Sequence, residues 1–282
     1  MASRKPTIAL LYDFDKTLCT KDMQEYSFIP SIGKNPEEFW DLAGQLAIQE
    51  KMDRTLAYMY LMLDQSNKAN QPIKRSTFNS HADGIEYYPG VESWFDRING
   101  YAESIGATLE HYIISSGLKE IIEATTIAPH FRTIYASEYH YDQNDTAVWP
   151  KTAINYTGKT QYLFRINKGI LDVSEDHALN TYLPDEKRPI PFRNMIYIGD
   201  GWTDVPCMKL VQVNGGCSIA VHNGHDLDTA HTLLRQDRVN HQTSADYQEG
   251  SELETIVEET IHQMTLAHRL LVRTSEEKER SL

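Results

Sequence analysis

Residues 7–18 read Thr-Ile-Ala-Leu-Leu-Tyr-Asp-Phe-Asp-Lys-Thr-Leu. A β-prone, mostly apolar run leads straight into two carboxylates, Asp13 and Asp15, one residue apart. Such a run without strict alternation suits a strand buried on both faces of a parallel sheet. The acids then fall at its carboxyl end, the edge where open α/β sheets bind ligands. Two carboxylates this close repel by up to ~4 kcal/mol at ~4 Å in an effective dielectric of about 20, so a cation is expected beside them.

The same texture recurs outward from this stretch. Thr7–Asp13, Glu110–Ser115, Thr133–Ala136, Met195–Gly199 and Cys217–Val221 read as strands and alternate with helical patterns. That alternation predicts an α/β fold whose core is a doubly wound, Rossmann-like parallel sheet. Between the first two strands the pattern changes. Asn35-Pro36-Glu37-Glu38 supplies an N-cap, a proline at the first helical position and a glutamate placed to reach back. Phe39, Trp40, Ala43, Leu46 and Ala47 follow at helical spacing, as do Leu56, Met59, Tyr60 and Leu63. With Pro72 and Pro89-Gly90 as punctuation, residues 20–86 are expected to form a small all-helical cap domain inserted after the first strand. Residues 1–19 and 87–282 make up the α/β core domain, with the cap over the carboxyl ends of its strands. Asn144-Asp145 suggests a hairpin, Thr181–Arg193 an irregular loop, and Ser275–Leu282 a frayed, solvated end.

Bulk properties narrow the function. The 282 residues carry a net charge of -13 without a basic cluster, which argues against nucleic acid and anionic membrane surfaces as partners. No stretch approaches the roughly 20 apolar residues of a membrane span, and the opening apolar run is too short for a signal sequence, so a soluble cytoplasmic protein is expected. Cys19, Cys207 and Cys217 are odd in number and lack C-x-x-C spacing, as free thiols in a reducing compartment would. The 11 histidines show no metal-ligand spacing and are expected mostly at the surface or in hydrogen bonds.

A second acidic cluster, Asp200 and Asp204, ends the run Met195-Ile-Tyr-Ile-Gly-Asp-Gly-Trp-Thr-Asp204. Gly199 and Gly201 allow the backbone to turn and approach a ligand. A lone Gly-Asp-Gly also fits an ordinary turn, but partnered with Asp13 and Asp15 its oxygen-only donors describe a site for a hard cation such as Mg2+. A third strand end, Ile113-Ile-Ser-Ser-Gly117, precedes a helical pattern over Leu118–Thr125. A hydroxyl and successive N–H groups there would hold a phosphate, although Ser115 and Ser116 fit simple helix capping as well. Gly158-Lys159-Thr160 opens a helical stretch through Lys168, and either lysine also fits a solvated charge.

DFDKTL, IISSG, GKTQYL and IGDGWTD, in that order with a helical insertion after the first, resemble the four motifs of the haloacid dehalogenase superfamily. The likeness is to its phosphoserine-phosphatase-like branch, and it spans about Thr7 to Val221. Ala245-Asp246-Tyr247 and the pattern after it resemble the last strand and helix of that fold. The resemblance implies that Asp13 is a nucleophile forming an aspartyl-phosphate and that Asp15 moves the proton between leaving group and water. It implies that Ser115, Ser116, Gly117 and Thr17 meet the phosphate, and that Lys159 neutralises it and orients Asp13, with Lys168 as second choice. Mg2+ would be held by Asp13, Asp200 and the backbone carbonyl of Asp15, supported by Asp204, with Gly201 and Thr203 lining the site. Family members that are dehalogenases or transport ATPases lack the second aspartate, so Asp15 favours a phosphatase or phosphomutase. Lys16 departs from the small residue usual there and is expected in solvent.

The branch places a substrate-binding glutamate nine residues after the nucleophile, where this chain has Asp22 with Glu25 a turn later. These acids suggest a phosphorylated amine or amino alcohol, whereas Arg54 would instead meet an anionic group. All three also fit a solvated helix face. The expected function is a Mg2+-dependent phosphomonoesterase acting on a small phosphorylated metabolite. A phosphotransferase or mutase with the same intermediate and a non-catalytic binder on the same scaffold are the alternatives, and the oligomeric state is not encoded in these motifs.

Overall fold

The computed structural model describes residues 5–224 and 227–281. The chain opens with β1 (Thr7–Tyr12) and then forms α1 (Met23–Tyr26), α2 (Phe28–Ser31), α3 (Pro36–Gln49), α4 (Arg54–Lys68) and α5 (Arg75–Ala82). Next come α6 (Val91–Ile105), β2 (Thr108–Leu118), α7 (Lys119–Glu123), β3 (Phe131–Tyr141) and β4 (Ala147–Thr152). Then follow α8 (Thr160–Lys168), α9 (Asp176–Asn180), β5 (Met195–Gly199), α10 (Val205–Val213), β6 (Cys217–His222), α11 (Leu227–Arg235), β7 (His241–Ser244) and α12 (Glu252–Arg280). The strands form one seven-stranded sheet in the order β4-β3-β2-β1-β5-β6-β7. Every neighbouring pair is parallel except the β3–β4 hairpin.

The central strand explains the sheet's two-sided cover. Residues 8–12 are wholly buried, and alternate side chains enter different cores. Ile8, Leu10 and Tyr12 pack with Trp94 and Phe95 of α6 and Ile261 of α12. Ala9 and Leu11 pack on the opposite face with Leu163 of α8 and Met208 of α10. Each large apolar side chain buried this way contributes roughly 1.5–3 kcal/mol. The first core continues without a break into the helical segment through Met23, Phe28, Phe39, Met59 and Phe78. That continuity holds α1–α5 against the carboxyl edge of the sheet.

Asn35 caps α3 by accepting the Glu38 N–H at 2.8 Å, while the Glu38 side chain pairs with Lys34 rather than reaching back. On α4 the inward stripe is Ala57, Tyr58, Met59, Leu61 and Met62, so of the residues at the expected spacing Met59 is buried whereas Leu56 and Tyr60 face solvent. The strand expected to stop at Ser115 continues to Leu118, whose partner is Ser137 on β3. The helix expected from Leu118 to Thr125 is shorter, Lys119–Glu123, so Ser115 and Ser116 lie within the strand and not at a helix N-terminus. β3 outruns its expected bounds because the hairpin at Asn144-Asp145 extends it, with Asp145 in the left-handed region at φ 61. The last strand ends at Ser244, so Ala245-Asp246-Tyr247 is the turn after it. The tail expected to fray is helical to Arg280, supported by i,i+4 pairs Arg273–Glu277 and Glu276–Arg280. The three cysteines are free and buried.

Candidate active site

β1 and β5 are neighbours, and their carboxyl ends bring the two acidic clusters together. The Asp13 N–H donates to the Ile198 carbonyl at 3.0 Å, continuing the sheet ladder one step past β1 and fixing Asp13 at the edge. Its Oδ1 accepts the Phe14 N–H at 2.7 Å. Phe14 is buried, and its carbonyl accepts the Leu18 N–H at 2.9 Å, so the chain reverses over Asp15-Lys16-Thr17. Lys16 makes that reversal in the left-handed region, at φ 55.

Asp13, Asp200 and Asp204 each offer a carboxylate oxygen, and these lie within 4.8 Å of one another. Gly199 is needed for this convergence, since a Cβ there would lie 2.6 Å from Asp204 Oδ2. Lys159 supplies the cation that the repulsion of these acids demands. Its ammonium is fully buried, 2.9 Å from Asp13 Oδ2 and 2.7 Å from Asp204 Oδ1. Burial acts to lower its pKa, but the charges of Asp13 and Asp204 outweigh that and hold it above the ordinary lysine range. Lys168 plays no part here, because its ammonium donates to the Leu179 and Thr181 carbonyls at 2.5 and 2.8 Å. Tyr197 belongs to no motif of the sequence, yet its hydroxyl donates to Asp204 Oδ1 at 2.7 Å. Its signal is an aromatic hydroxyl in an otherwise aliphatic strand, two residues before the glycine that admits Asp204.

One lysine does not neutralise three carboxylates. Burial, then Asp204 and Asp13, push Asp200 well above the carboxylate range, and burial with Asp13 pushes Asp204 up to about 6. Asp204 Oδ2 is buried without a hydrogen-bond partner. An orphaned oxygen among oxygen-only donors fits a hard divalent cation such as Mg2+.

Asp15 sits apart from this cluster. Its Oδ1 accepts the Met23 N–H at 2.7 Å, so the first turn of α1 orients it. Burial, followed by the charges of Asp22 and Asp13, holds its carboxyl well above the ordinary range. Gly117 makes room for it, since a Cβ there would lie 2.8 Å from Asp15 Oδ2 and 2.1 Å from Met23 Cε. Ser115 is buried and its Oγ accepts the Gly117 N–H at 3.0 Å. Ser116 and Thr17 each present a buried hydroxyl without a protein partner. The Ser116 carbonyl is occupied by Tyr58 and Ser137 hydroxyls at 2.6 and 3.1 Å.

A cavity of about 330 Å³ opens beside Asp15, between the sheet edge and the helical segment. Ser116, Gly117 and Thr203 line it from the sheet, and Asp22, Arg54 and Tyr58 from the helices. Glu25 does not line it and accepts the Trp40 indole N–H at 2.8 Å. Asp22 is bound to Lys16 at 2.7 Å, so Lys16, whose side chain stays 40% exposed as expected of a lysine, is nonetheless held by an ion pair. Gly201 follows Asp200 and its carbonyl accepts the Asp204 N–H at 3.1 Å; it lies outside the cavity lining. Gln24, which no motif marks, and Trp40, which the helical spacing marks only as apolar, line the cavity as well.

This sheet, with its acidic edge and buried lysine, defines a hydrolase of the haloacid dehalogenase type. The profile of the haloacid dehalogenase-like hydrolases matches residues 10–209, and the chain belongs to that family. An uncharacterized protein of Borreliella burgdorferi is 28% identical over 93% of this chain and 99% of its own length. Among solved structures, a substrate-bound phosphoserine phosphatase superposes with a TM-score of 0.56 at 12% identity, over 90% of this chain and 99% of its own. A family hydrolase from Salmonella enterica serovar Typhi gives 0.54 at 18% identity, over 86% of this chain and 68% of its own. These likenesses carry the fold. Among the described residues no helix is long and apolar enough to cross a membrane.

Proposed function

We propose that the protein is a Mg2+-dependent phosphomonoesterase that hydrolyses a small phosphorylated metabolite through an aspartyl-phosphate on Asp13. The observation that carries this reading is the division of labour between the two neighbouring acids. Asp13 is ion-paired with a fully buried lysine, whereas Asp15 is shifted toward its protonated form beside the cavity. Phosphate-monoester hydrolysis is among the slowest uncatalysed reactions, and its dianion repels an anionic nucleophile, so cationic charge is needed at the reacting oxygens. Mg2+ held by Asp13, Asp200 and Asp204 would supply part of that charge, and Lys159 supplies the rest.

An Asp13 oxygen attacks phosphorus and the ester P–O bond breaks, while the Asp15 carboxyl gives its proton to the departing alkoxide. Asp15, now ionised, takes a proton from water as that water attacks the phosphorylated Asp13, releasing phosphate and restoring both acids. The hydroxyls of Ser116 and Thr17, buried and unpartnered in the protein, are suited to the phosphoryl oxygens. The test is phosphate release from a phosphomonoester panel with Mg2+ present and chelated, using wild type and Asp13→Asn. Release that requires Mg2+ and disappears in the variant is expected; release undiminished in Asp13→Asn overturns the reading. An added acceptor alcohol that captures the phosphoryl group would reassign the chemistry to transfer.

A further inference from the structure

We infer that the leaving group is a small hydroxy acid, carrying a carboxylate and a hydroxyl but no ammonium, and that Lys16 is the residue that sets this preference. The inference rests on the phosphomonoesterase reading and concerns what the cavity beyond Asp15 recognises. Apart from Asp15 itself, Asp22 is the only carboxylate lining that cavity among the described residues. An ammonium on the substrate would need it. Lys16 already occupies it, with the two charged atoms 2.7 Å apart, so an incoming amine meets an acid that is already paired and a like charge beside it; the other carboxyl against Asp22, Glu25, lies outside the cavity lining and accepts the Trp40 indole N–H. Lys16 holds this position at φ 55, a conformation in which glycine is the ordinary residue.

Two further lining residues state what the cavity accepts. Arg54, the first residue of α4, is the only cationic side chain on its wall and makes no ion pair among the described residues. It is free to take an anion. Gln24 is 1% exposed and lines the cavity, and its amide oxygen is buried without a hydrogen-bond partner. A buried amide without a partner is costly until a ligand satisfies it. A hydroxyl, which both donates and accepts, serves whichever way that amide is turned. The cavity's volume of about 330 Å³ lies at the small end of ligand pockets.

The test compares kcat/KM with Mg2+ for 3-phosphoglycerate, O-phosphoserine and glycerol 3-phosphate. The first two differ by hydroxyl against ammonium, and the first and third by carboxylate against hydroxymethyl. Wild type is expected to prefer 3-phosphoglycerate over O-phosphoserine by about fivefold, a size set by a half-exposed pair. Lys16→Gly relieves the backbone and frees Asp22, and Lys16→Gln keeps the stem without the charge. Both should narrow that ratio about fivefold, chiefly through KM for O-phosphoserine, while Arg54→Gln narrows the preference of 3-phosphoglycerate over glycerol 3-phosphate. Equal or better use of O-phosphoserine by wild type, or a ratio unmoved in both Lys16 variants, overturns the inference. If no compound is turned over, p-nitrophenyl phosphate included, the phosphomonoesterase reading fails. Protection of the wild type against thermal unfolding by the same three compounds then decides the preference, and equal or greater protection by O-phosphoserine overturns it.

Discussion

Lys159→Met removes an ammonium with no solvent exposure that lies 2.7 Å from Asp204 and 2.9 Å from Asp13. With an effective dielectric of about 20, each contact is worth roughly 6 kcal/mol of attraction. Most of that is offset by desolvation, which costs several kcal/mol per ion, so the sum is not the stability lost. What the substitution leaves is a set of buried carboxylates with no counter-charge, and breaking a buried pair this way destabilises by about 3–5 kcal/mol. Urea unfolding at pH 7 with metal chelated should show that loss. The folded pKa of Asp204 is raised to about 6 from an ordinary 3.8, so the folded state holds the extra proton and this carboxyl favours folding as pH falls. Removing the lysine raises it further. The deficit of Lys159→Met should therefore shrink between pH 7 and pH 5, and adding Asp204→Asn should recover part of it, because neighbouring charges do not act additively. A loss below about 1 kcal/mol, or a double variant less stable than Lys159→Met alone, would refute the reasoning. Lys168→Met, whose ammonium only ties down the end of α9 and the residue after it, should leave the acidic cluster and its pH response unchanged.

If Asp15 carries the proton as proposed, Asp15→Asn should lower kcat by about 10²–10⁴ while the proposed aspartyl-phosphate can still form from an activated ester, which rapid-quench kinetics would read. Gly117→Ala places a methyl 2.1 Å from Met23 Cε and 2.8 Å from Asp15 Oδ2, so it should cost about 1–3 kcal/mol of stability by denaturant unfolding. Met23→Ala should relieve the first clash but not the loss of activity caused by the second. His111 is buried in a chain that runs from the Trp94 indole to Tyr12, His111 and Asn99, with both ring nitrogens engaged at 3.1 Å. Burial, with His130 nearby, pushes it down to about 3, so the unfolded chain binds the proton first and stability is lost as pH falls from about 6.5 toward 3. His111→Gln should flatten that loss, by at most ~1.4 kcal/mol per pH unit, in unfolding midpoints across the window.

Much of the fold was legible because its signals are local. A strand buried on both faces reads as an apolar run, and Asn35 with Pro36 marks a helix start whatever packs against it. The errors came where neighbours decide. β2 overruns Ser115 because β3 offers Leu118 a pairing partner in Ser137, and the Ser116 carbonyl is held by Tyr58 and Ser137. Lys16 reads as a solvated lysine until the chain reversal brings it to Asp22. The candidate site shows the same division. Asp13, Asp15 and Asp200 declare themselves as acids at the ends of apolar strands, whereas Tyr197, Gln24 and Trp40 carry no such mark.

The sequence by itself determined the residue types and their order: acids at strand ends, a helical segment after the first strand, and a lysine opening α8. It left open which lysine meets the acids, since Lys159 and Lys168 are nine residues apart on one stretch. Only the tertiary structure decided that, by burying Lys159 between Asp13 and Asp204 and spending Lys168 on backbone carbonyls. It also decided the state of Asp22, a carboxylate that reads as a site for amines and is already paired. The physical reason is that electrostatic interaction depends on distance and burial. A carboxylate's partner is whichever charge the fold brings within a few ångströms.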